Sequence, residues 1–342
     1  MDKRNCTLIV GIMCLCLWTA AYCAEWEVRA DIPYHVYGHG GAVAGGKYHA
    51  LGGCDTPDWT QSCKRHQVYD LTKDRWSIAA DLPTELGWPM PAVHEGKIYL
   101  FGGQRNGAKA TDKAWVYDPA TDHWTGIRSM PKPITNGFAI AVGDFIYVGL
   151  GYNRQGGKYG KEGSSDVPEQ YYDTYRYDPS NDSYTRVADA PEHGIYIAAG
   201  SHHGSIYLVP GVQVESGWHN MEDYVWSDGA LKYTPATNKW TTINAPRGSR
   251  RVFYLTQCSS SVSYGSRLFV VGGMAEKRGR TTVAEYFDMK EEVFKPLPPL
   301  PAQRCCGGGG VVGDVLVISG GFFGPASDLG DVCKPTWIYR IR

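Results

Sequence analysis

One aromatic-to-proline spacing recurs six times along this 342-residue chain and limits its possible folds more than any other feature. An aromatic residue stands seven residues before a proline in five copies and six residues before it in the sixth. The pairs are Trp26 and Pro33, Trp76 and Pro83, Trp124 and Pro131, Tyr184 and Pro191, Trp240 and Pro246, and Phe294 and Pro301. Such a repeat predicts one supersecondary unit stacked several times.

Two more elements recur in step with that pair. A tyrosine or phenylalanine stands seven residues before five of the aromatic residues, at Tyr69, Tyr117, Tyr177, Tyr233 and Phe287. An apolar run with a glycine-rich end also recurs, and successive copies lie 48 to 62 residues apart. That period is typical of a four-stranded propeller blade. Residues 98–101 are apolar without interruption, as a strand covered on both faces requires.

Together, the glycine pair, the Tyr-Asp step and the Trp-to-Pro step resemble the Kelch repeat. The resemblance covers residues 25–342, although the third and fourth copies have Gly-Leu-Gly at 149–151 and Pro-Gly at 210–211 in place of Gly-Gly. It implies a single all-β domain, a six-bladed Kelch-type β-propeller with four antiparallel strands in each blade.

The two ends of the chain predict how this ring closes. Trp26 and Pro33 precede any glycine-rich strand, whereas the last repeat ends near Tyr339 with no such pair after it. The N-terminal strand is therefore predicted to be the outermost strand of blade six, hydrogen-bonded to the C-terminal strand around residues 337–341. Closure of this kind removes the open sheet edge at which chains aggregate.

Residues 1–24 have the pattern of a secretory signal peptide. Lys3 and Arg4 precede an uncharged apolar stretch over residues 7–24, and small residues cluster at its end. A signal anchor is the alternative interpretation, because the stretch is almost long enough to span a bilayer. Cleavage near residue 24 would give a secreted, extracellular protein without a membrane span, or a periplasmic one in a bacterium.

An exported chain is expected to carry disulfides and an N-linked glycan. Six cysteines follow the predicted signal peptide, and an even number favours disulfide bonds. Asn181 begins an Asn-Asp-Ser sequence in a turn, a predicted glycosylation site. The predicted bonds are Cys54–Cys63 across a short loop and Cys306–Cys333 in blade six, with Cys305 an alternative partner of Cys333 and Cys258 either free or paired with the remaining vicinal cysteine.

Charge and residue spacing exclude several classes of partner. The chain has 34 Lys and Arg against 35 Asp and Glu, a net charge of −1, which argues against nucleic acid and anionic membranes as partners. No His and Cys set has the spacing of metal ligands, so neither a metal nor a cofactor is predicted. The oligomeric state is not indicated by the sequence.

Long loops between the second and third strands are predicted to decorate one face of the ring, where a propeller binds its ligands. Aromatic residues in these loops favour a binding surface over merely solvated loops. Arg250 and Arg304 begin adjacent blades and together suit a carboxylate or sulfate, the alternative being that each pairs with a nearby Asp or Glu. The predicted ligand contacts are Arg154, Trp218, His219, Arg250 and Arg304 on one side of the channel mouth, with His39, Trp88 and Asn136 beside them.

Two functions of different classes follow from this arrangement. The first is a secreted binding module that recognises an extracellular protein or glycan and performs no chemistry. The second is an isomerase acting on an acidic sugar, implied by resemblance in architecture and length to the exported six-bladed sialic-acid mutarotases. No catalytic residues are recognisable in the sequence. A filled channel under an aromatic rim would favour binding, whereas a deep pocket with a perturbed acid, histidine or tyrosine would favour the enzyme.

Overall fold

The computed structural model describes residues 26–55, 61–106, 109–153, 169–214, 224–226, 229–246, 252–253, 262–275, 279–323 and 333–341. Blades one to three contain β2 (Gly40–Ala44), β3 (Lys47–Leu51), β4 (His66–Asp70) and β5 (Arg75–Ile78), then β6 (Met90–His94), β7 (Lys97–Phe101), β10 (Ala114–Asp118) and β11 (His123–Ile127), then β12 (Phe138–Val142), β13 (Phe145–Gly149), β16 (Thr174–Asp178) and β17 (Ser183–Arg186). Blades four and five contain β18 (Ala198–His202), β19 (Ser205–Val209), β22 (Gly229–Thr234) and β23 (Lys239–Asn244), then β25 (Ser263–Tyr264), β26 (Arg267–Val271), β29 (Ala284–Asp288) and β30 (Val293–Pro296). Blade six contains β32 (Gly308–Val312), β33 (Val315–Ser319), β35 (Pro335–Arg340) and β1 (Glu27–Asp31).

Short strands on the loop-bearing face extend the blades. They are β8 (Gln104–Arg105) with β9 (Lys109–Ala110), β14 (Tyr152–Asn153) with β15 (Glu169–Gln170), β20 (Val212–Val214) with β21 (Tyr224–Trp226), β24 (Val252–Phe253) with β27 (Met274–Ala275) and β28 (Gly279–Arg280), and β31 (Arg304–Cys305) with β34 (Phe322–Phe323). Most follow the second strand or precede the third, whereas β24 and β31 precede the first strands of blades five and six. A 3₁₀ helix spans Pro235–Thr237. The described residues include no helix long and apolar enough to cross a bilayer.

Six antiparallel four-stranded sheets therefore surround one axis, which confirms the predicted six-bladed propeller. The ring also closes as the sequence predicts. Strand β1 pairs antiparallel with β35, with Glu27 opposite Ile338 and Val28 opposite Trp337. The predicted signal peptide, residues 1–24, lies outside the described residues, so it stays a prediction.

In five of the six blades, the repeated aromatic residue joins the outer strand to the preceding blade. Its ring donates a hydrogen bond from the indole N–H or the phenol O–H to a backbone carbonyl of that blade. The bonds run from Trp26 Nε1 to Pro298 O (3.0 Å), Trp76 Nε1 to Ala30 O (3.2 Å), Trp124 Nε1 to Ala80 O (3.1 Å), Tyr184 Oη to Arg128 O (3.0 Å) and Trp240 Nε1 to Ala188 O (2.9 Å). The need for a donor at each of these blade boundaries explains why the aromatic residue recurs at the same place in the repeat.

An acidic or amide residue two positions before that aromatic forms a second bond between blades. In blade two, Asp122 accepts hydrogen bonds from Tyr117 Oη (2.7 Å) in its own blade and from Ala80 N (2.8 Å) in blade one. Its φ of 51° lies in the left-handed region, which Asp and Asn tolerate better than most residues. Asp74, Asp182 and Asn238 repeat this arrangement. We call it the inter-blade clamp.

Replacing Asp122 with Ala is expected to lower the free energy of unfolding by about 2 kcal/mol, because two donors lose a charged acceptor. Asp122→Asn is the matched control, since Asn238 fills the same position in blade four. The Asn variant should keep most of the stability in urea unfolding. Equal losses in the two variants would show that the side-chain acceptor is not what joins these blades.

Candidate functional site

The chain enters the inner strands through residues with positive φ at the axis of the loop-bearing face. In the described blades these residues are Gly38 (61°), Trp88 (48°), Asn136 (57°), Tyr196 (58°) and Cys306 (59°), which we call the mouth ring. Neighbours in the ring are joined through their backbones: Gly38 N donates to Cys306 O (2.7 Å), Trp88 N to Gly38 O (2.6 Å) and Tyr196 N to Asn136 O (3.1 Å). The ring therefore surrounds the channel mouth at close range.

Side chains from the mouth ring and its surroundings fill the channel mouth. The buried cluster comprises Tyr37, Cys54, Trp88, Tyr152, Ile195, Tyr196, Val212, Cys305, Cys306 and Phe322. Ring centroids of Tyr37 and Phe322 are 4.4 Å apart, and those of Tyr37 and Trp88 are 6.0 Å apart. Trp88 is 1% exposed. A cavity of about 160 Å³ lies elsewhere, between Glu192 and strands β22 and β23 of blade four.

Four of the predicted ligand contacts are buried beneath this face. His39, Asn136 and Arg304 have no exposed surface, and Trp88 is almost as buried. These four residues pack below the surface and form its floor, and their contact with a ligand stays a prediction. Arg154, Trp218, His219 and Arg250 lie outside the described residues, so their role in binding stays a prediction, as does the pairing of Arg250 with Arg304.

Hydrogen bonds hold the buried polar residues in place. Asn136 Nδ2 donates to Tyr152 Oη (3.2 Å). His39 Nε2 lies 3.1 Å from Tyr48 Oη and 3.3 Å from Ser319 Oγ. Burial lowers the pKa of His39 to about 3 and raises the pKa of Tyr48, so both side chains are neutral at physiological pH. These groups stabilise the floor of the face.

The five described cysteines are free thiols in the structure, so the two predicted disulfides are not formed in it. The backbones of Cys54 and Ser62 pair in an isolated antiparallel β-bridge. The next residue, Cys63, therefore points to the opposite side of the ladder. Cys54 accordingly packs in the mouth cluster, whereas Cys63 packs with Tyr48 and Trp76. In blade six, Cys306 Sγ lies 3.3 Å from Cys305 Sγ instead of bonding to Cys333. Cys258 lies outside the described residues.

The described rim of the face is aromatic and charged. Tyr34 is 47% exposed with the Arg65 guanidinium carbon 4.1 Å from its ring centre, and Tyr172 is 44% exposed with its hydroxyl 2.9 Å from His193 Nδ1. Charged pairs lie beside them, including Glu85 with Lys64 and Arg105 (both 3.7 Å). Neither tyrosine was predicted from the sequence as a binding residue. Tyr34 directly follows a repeat proline, so the positions after the prolines were the available indication.

Nowhere in the described part of the chain do three His, Cys, Asp or Glu side chains converge in a way that could hold a metal ion. The His202–His203 pair is a strand end followed by a turn, since His203 has a φ of 49°.

Comparison with known proteins relates the chain to Kelch proteins along most of its length. The Kelch motif matches residues 91–131 and 256–301. The chain is 26% identical over 335 residues to Kelch-like protein terF of Aspergillus terreus, covering 89% of this chain and 68% of that protein. It is 23% identical over 322 residues to an N-acetylneuraminate epimerase of Haemophilus influenzae, covering 91% of this chain and 73% of that protein. Other relatives are far longer: the match spans 24% of Beta-scruin from Limulus polyphemus and 21% of Kelch-like protein 30 from Homo sapiens.

The solved structure of YjhT has a similar fold. The two chains superpose with a TM-score of 0.67 at 16% identity, over 90% of this chain and 95% of the other. At this identity the likeness concerns the fold alone.

Proposed function

The chain belongs to the Kelch-repeat family, and we propose that it is an exported binding module whose loop-bearing face recognises a protein or a glycan. The observation that carries this proposal is the filled channel mouth, with Trp88, Asn136 and Arg304 buried under the face. A small-substrate enzyme needs a concave site that surrounds its substrate. In the described part of the chain, a channel mouth filled by buried side chains under exposed tyrosines suits a broad partner better.

The rim supplies the kinds of contact that dominate binding surfaces. Exposed Tyr34 and Tyr172 offer rigid apolar area with a polar tip, which suits both protein surfaces and sugar rings. The Arg65 guanidinium stacks on the ring of Tyr34, and His193 hydrogen-bonds the hydroxyl of Tyr172, so both rings are held in place. Trp218 and Arg250, in neighbouring loops of the sequence, are proposed to complete the surface.

Screening of purified protein on a glycan array, followed by affinity measurement on the best hit, tests this proposal. Trp218→Ala, Arg250→Ala and Tyr34→Ala are each expected to weaken binding at least tenfold with little change in melting temperature. Lys73→Ala is the control, because Lys73 is exposed in the turn between β4 and β5 on the opposite face. Loss of affinity in the control, with none in the three variants, would place the site on the opposite face, which carries the short turns between the third and fourth strands.

Export is part of the proposal and predicts a glycan at Asn181. This residue is exposed in the turn between β16 and β17, where its Nδ2 donates to Asp178 Oδ2 (3.0 Å). Protein secreted by eukaryotic cells should lose the mass of one glycan in both Asn181→Gln and Ser183→Ala, because each removes the acceptor sequence. Asp182→Asn keeps that sequence and should retain the glycan. An unchanged mass in both disrupting variants would contradict glycosylation at this turn.

A second candidate function is isomerisation of an acidic sugar. Its support is the similarity to the Haemophilus epimerase over 91% of this chain. The test follows anomer equilibration of N-acetylneuraminate by NMR with and without protein. We expect no acceleration over buffer. A rate increase that saturates with substrate would replace the binding proposal with the enzymatic one.

A further inference from the structure

The interface between blades six and one, which we call the seam, contains a buried arginine. Two nitrogens of its guanidinium make no hydrogen bond. Arg304 has no exposed surface. Its Nε donates to Gly320 O (2.8 Å), while Nη1 and Nη2 make no hydrogen bond. The faces of the guanidinium are covered, since its carbon lies 4.6 Å from the Trp337 ring centre and 5.8 Å from that of Phe323. The edge of the guanidinium therefore carries unsatisfied N–H groups.

His39 brings another unsatisfied donor to the same seam. Ser319 Oγ donates to Tyr48 Oη (3.1 Å), which leaves the tyrosine hydrogen for His39 Nε2 (3.1 Å). The neutral imidazole then carries its hydrogen on Nδ1, and Nδ1 is buried without a partner. Both Arg304 and His39 thus present N–H groups that lack an acceptor.

Gly320 lies between these two residues. Its carbonyl accepts the Arg304 Nε bond, and a Cβ at this position would lie 3.1 Å from His39 Nδ1 and 2.7 Å from His39 Cε1. The φ of Gly320 is 61°, which also favours glycine. A side chain here would also overlap the backbone oxygen of Val36, so glycine lets His39 pack closely against this turn.

Electrostatics requires a negative charge near this arginine. A guanidinium remains protonated in proteins, and burying it without a counter-charge is strongly unfavourable. In the described ranges no carboxylate contacts Arg304. Stacking on Trp337 offsets part of the cost, but it does not satisfy the N–H groups at the edge. A bound water would accept two bonds while adding two donors of its own, whereas an anion only accepts.

We propose that the seam between blades six and one binds a small inorganic anion of the size of chloride, held by the Arg304 Nη groups and His39 Nδ1–H. The anion would neutralise the buried guanidinium and satisfy the donors of both residues. It would stabilise the seam at which the ends of the chain meet.

Urea unfolding of the full chain at constant ionic strength tests this site, with chloride replaced stepwise by methanesulfonate. The wild-type midpoint should rise with chloride concentration, following the dependence expected for one ligand that binds only the folded state. Arg304→Met should lose this dependence. Arg75→Met is the control, because Arg75 is exposed on β5 and should respond as the wild type does.

A bromide soak provides a readout that does not depend on variant folding. The anomalous signal of bromide should give a peak between Arg304 and His39 in crystals of the wild-type protein. No chloride dependence together with no bromide peak would overturn the proposal. So would a chloride dependence that Arg304→Met leaves unchanged.

A thiolate is the competing counter-charge, since Cys305 and Cys333 lie near Arg304. Burial raises the pKa of Cys333 to about 12, which opposes its ionisation. The hydrogen bond that Cys305 accepts from Cys306 lowers the pKa of Cys305, so Cys305 is the stronger competitor. If the anion neutralises Arg304, Cys305→Ser and Cys333→Ser should both keep the chloride dependence. If either replacement destabilises the protein strongly, and the wild type shows no chloride dependence, a thiolate neutralises the arginine and the anion proposal fails.

Discussion

Deletion of residues 25–33 is expected to abolish cooperative folding of the propeller. Strand β1 completes blade six by pairing with β35, and it also bonds to both neighbouring blades. Trp26 Nε1 donates to Pro298 O in blade five, while Ala30 N donates to Asp74 in blade one and Ala30 O accepts from Trp76. Without these residues, β35 becomes an open edge and two seams lose their bonds. Circular dichroism during urea unfolding should show no cooperative transition.

Val28→Thr is the matched control for this deletion. Val28 lies in the same strand but is 65% exposed, so a β-branched polar residue should leave the unfolding midpoint nearly unchanged. Ala30→Pro removes the backbone N–H of Ala30, which donates to Asp74. Its loss of stability should be greater than that of Val28→Thr and smaller than that of the deletion. A truncated protein that melts at the temperature of the full chain would contradict closure by β1.

The repeat predicted the fold well because each of its residues has a structural role that recurs in most blades. The tyrosine that donates to the inter-blade clamp and the following Trp face each other across the hairpin between the third and fourth strands. That hairpin fixes their spacing. Blade five shows the limit of that logic. It has Phe287, Glu292 and Phe294 in place of the hydrogen-bonding residues, yet the hairpin between β29 and β30 keeps its register, with Phe287 opposite Phe294. Packing of the two rings, whose centroids are 5.1 Å apart, preserves the pattern there, and Glu292 bonds the preceding blade through Lys232 Nζ (3.0 Å).

The candidate site was predicted less well, because burial at the channel mouth depends on backbone conformation. Trp88 and Asn136 directly precede the innermost strands of blades two and three, positions that suggest a lining role. Their positive φ values place them in the mouth ring, where their side chains are buried. A tryptophan seldom adopts this conformation, so the sequence around Trp88 does not indicate it. Gly38 at the equivalent position was the one available indication.

The cysteine predictions were limited by register. Spacing along the chain shows that Cys54 and Cys63 close a short loop, but a shift of one residue decides which side of the ladder each side chain occupies. The bridge between Cys54 and Ser62 sets that register and separates the two thiols. No feature of the sequence fixes this single-residue offset.

A buried pair of histidines in blade one, not foreseen from the sequence, predicts acid sensitivity. His49 Nδ1 lies 2.8 Å from His66 Nε2, and the pair is enclosed by Tyr117 and Trp124 of blade two. Their strands pair with Leu51 opposite His66 and His49 opposite Val68, so the contact is diagonal. Residues 17 positions apart on separate strands give no sign of such a contact until the register is known.

Burial keeps both histidines neutral in the folded protein. It lowers the pKa of His49 to about 4 and the pKa of His66 to about 3, with the nearby Asp122 opposing the shift in part. The outer nitrogens contact Ala44 O (3.2 Å) and Ala80 O (3.1 Å). Three contacts need three hydrogens and a neutral pair has two. A third proton would complete them, but it would place a charge in the core, and burial is the larger effect.

Lowering the pH from 7 to 5 is therefore expected to reduce the free energy of unfolding by about 2 to 4 kcal/mol through this pair. The unfolded histidines, with a pKa near 6.5, bind protons in this range, whereas the folded ones do not. Stability is thus lost as the pH falls below about 6.5 and continues to fall toward the folded-state values. Urea unfolding at the two pH values gives this difference directly.

The double variant His49→Gln, His66→Gln separates this pair from other groups that titrate in the same range. Its absolute stability is not the readout; the difference between pH 7 and pH 5 within the variant should be smaller than in the wild type by about 2 to 4 kcal/mol. His39, also buried and neutral, contributes equally to both proteins and cancels. His123→Gln, exposed on β11, should keep the wild-type difference. A double variant with that same wild-type difference would mean that His49 and His66 gain their protons without unfolding, and that the third hydrogen bond outweighs the cost of a buried charge.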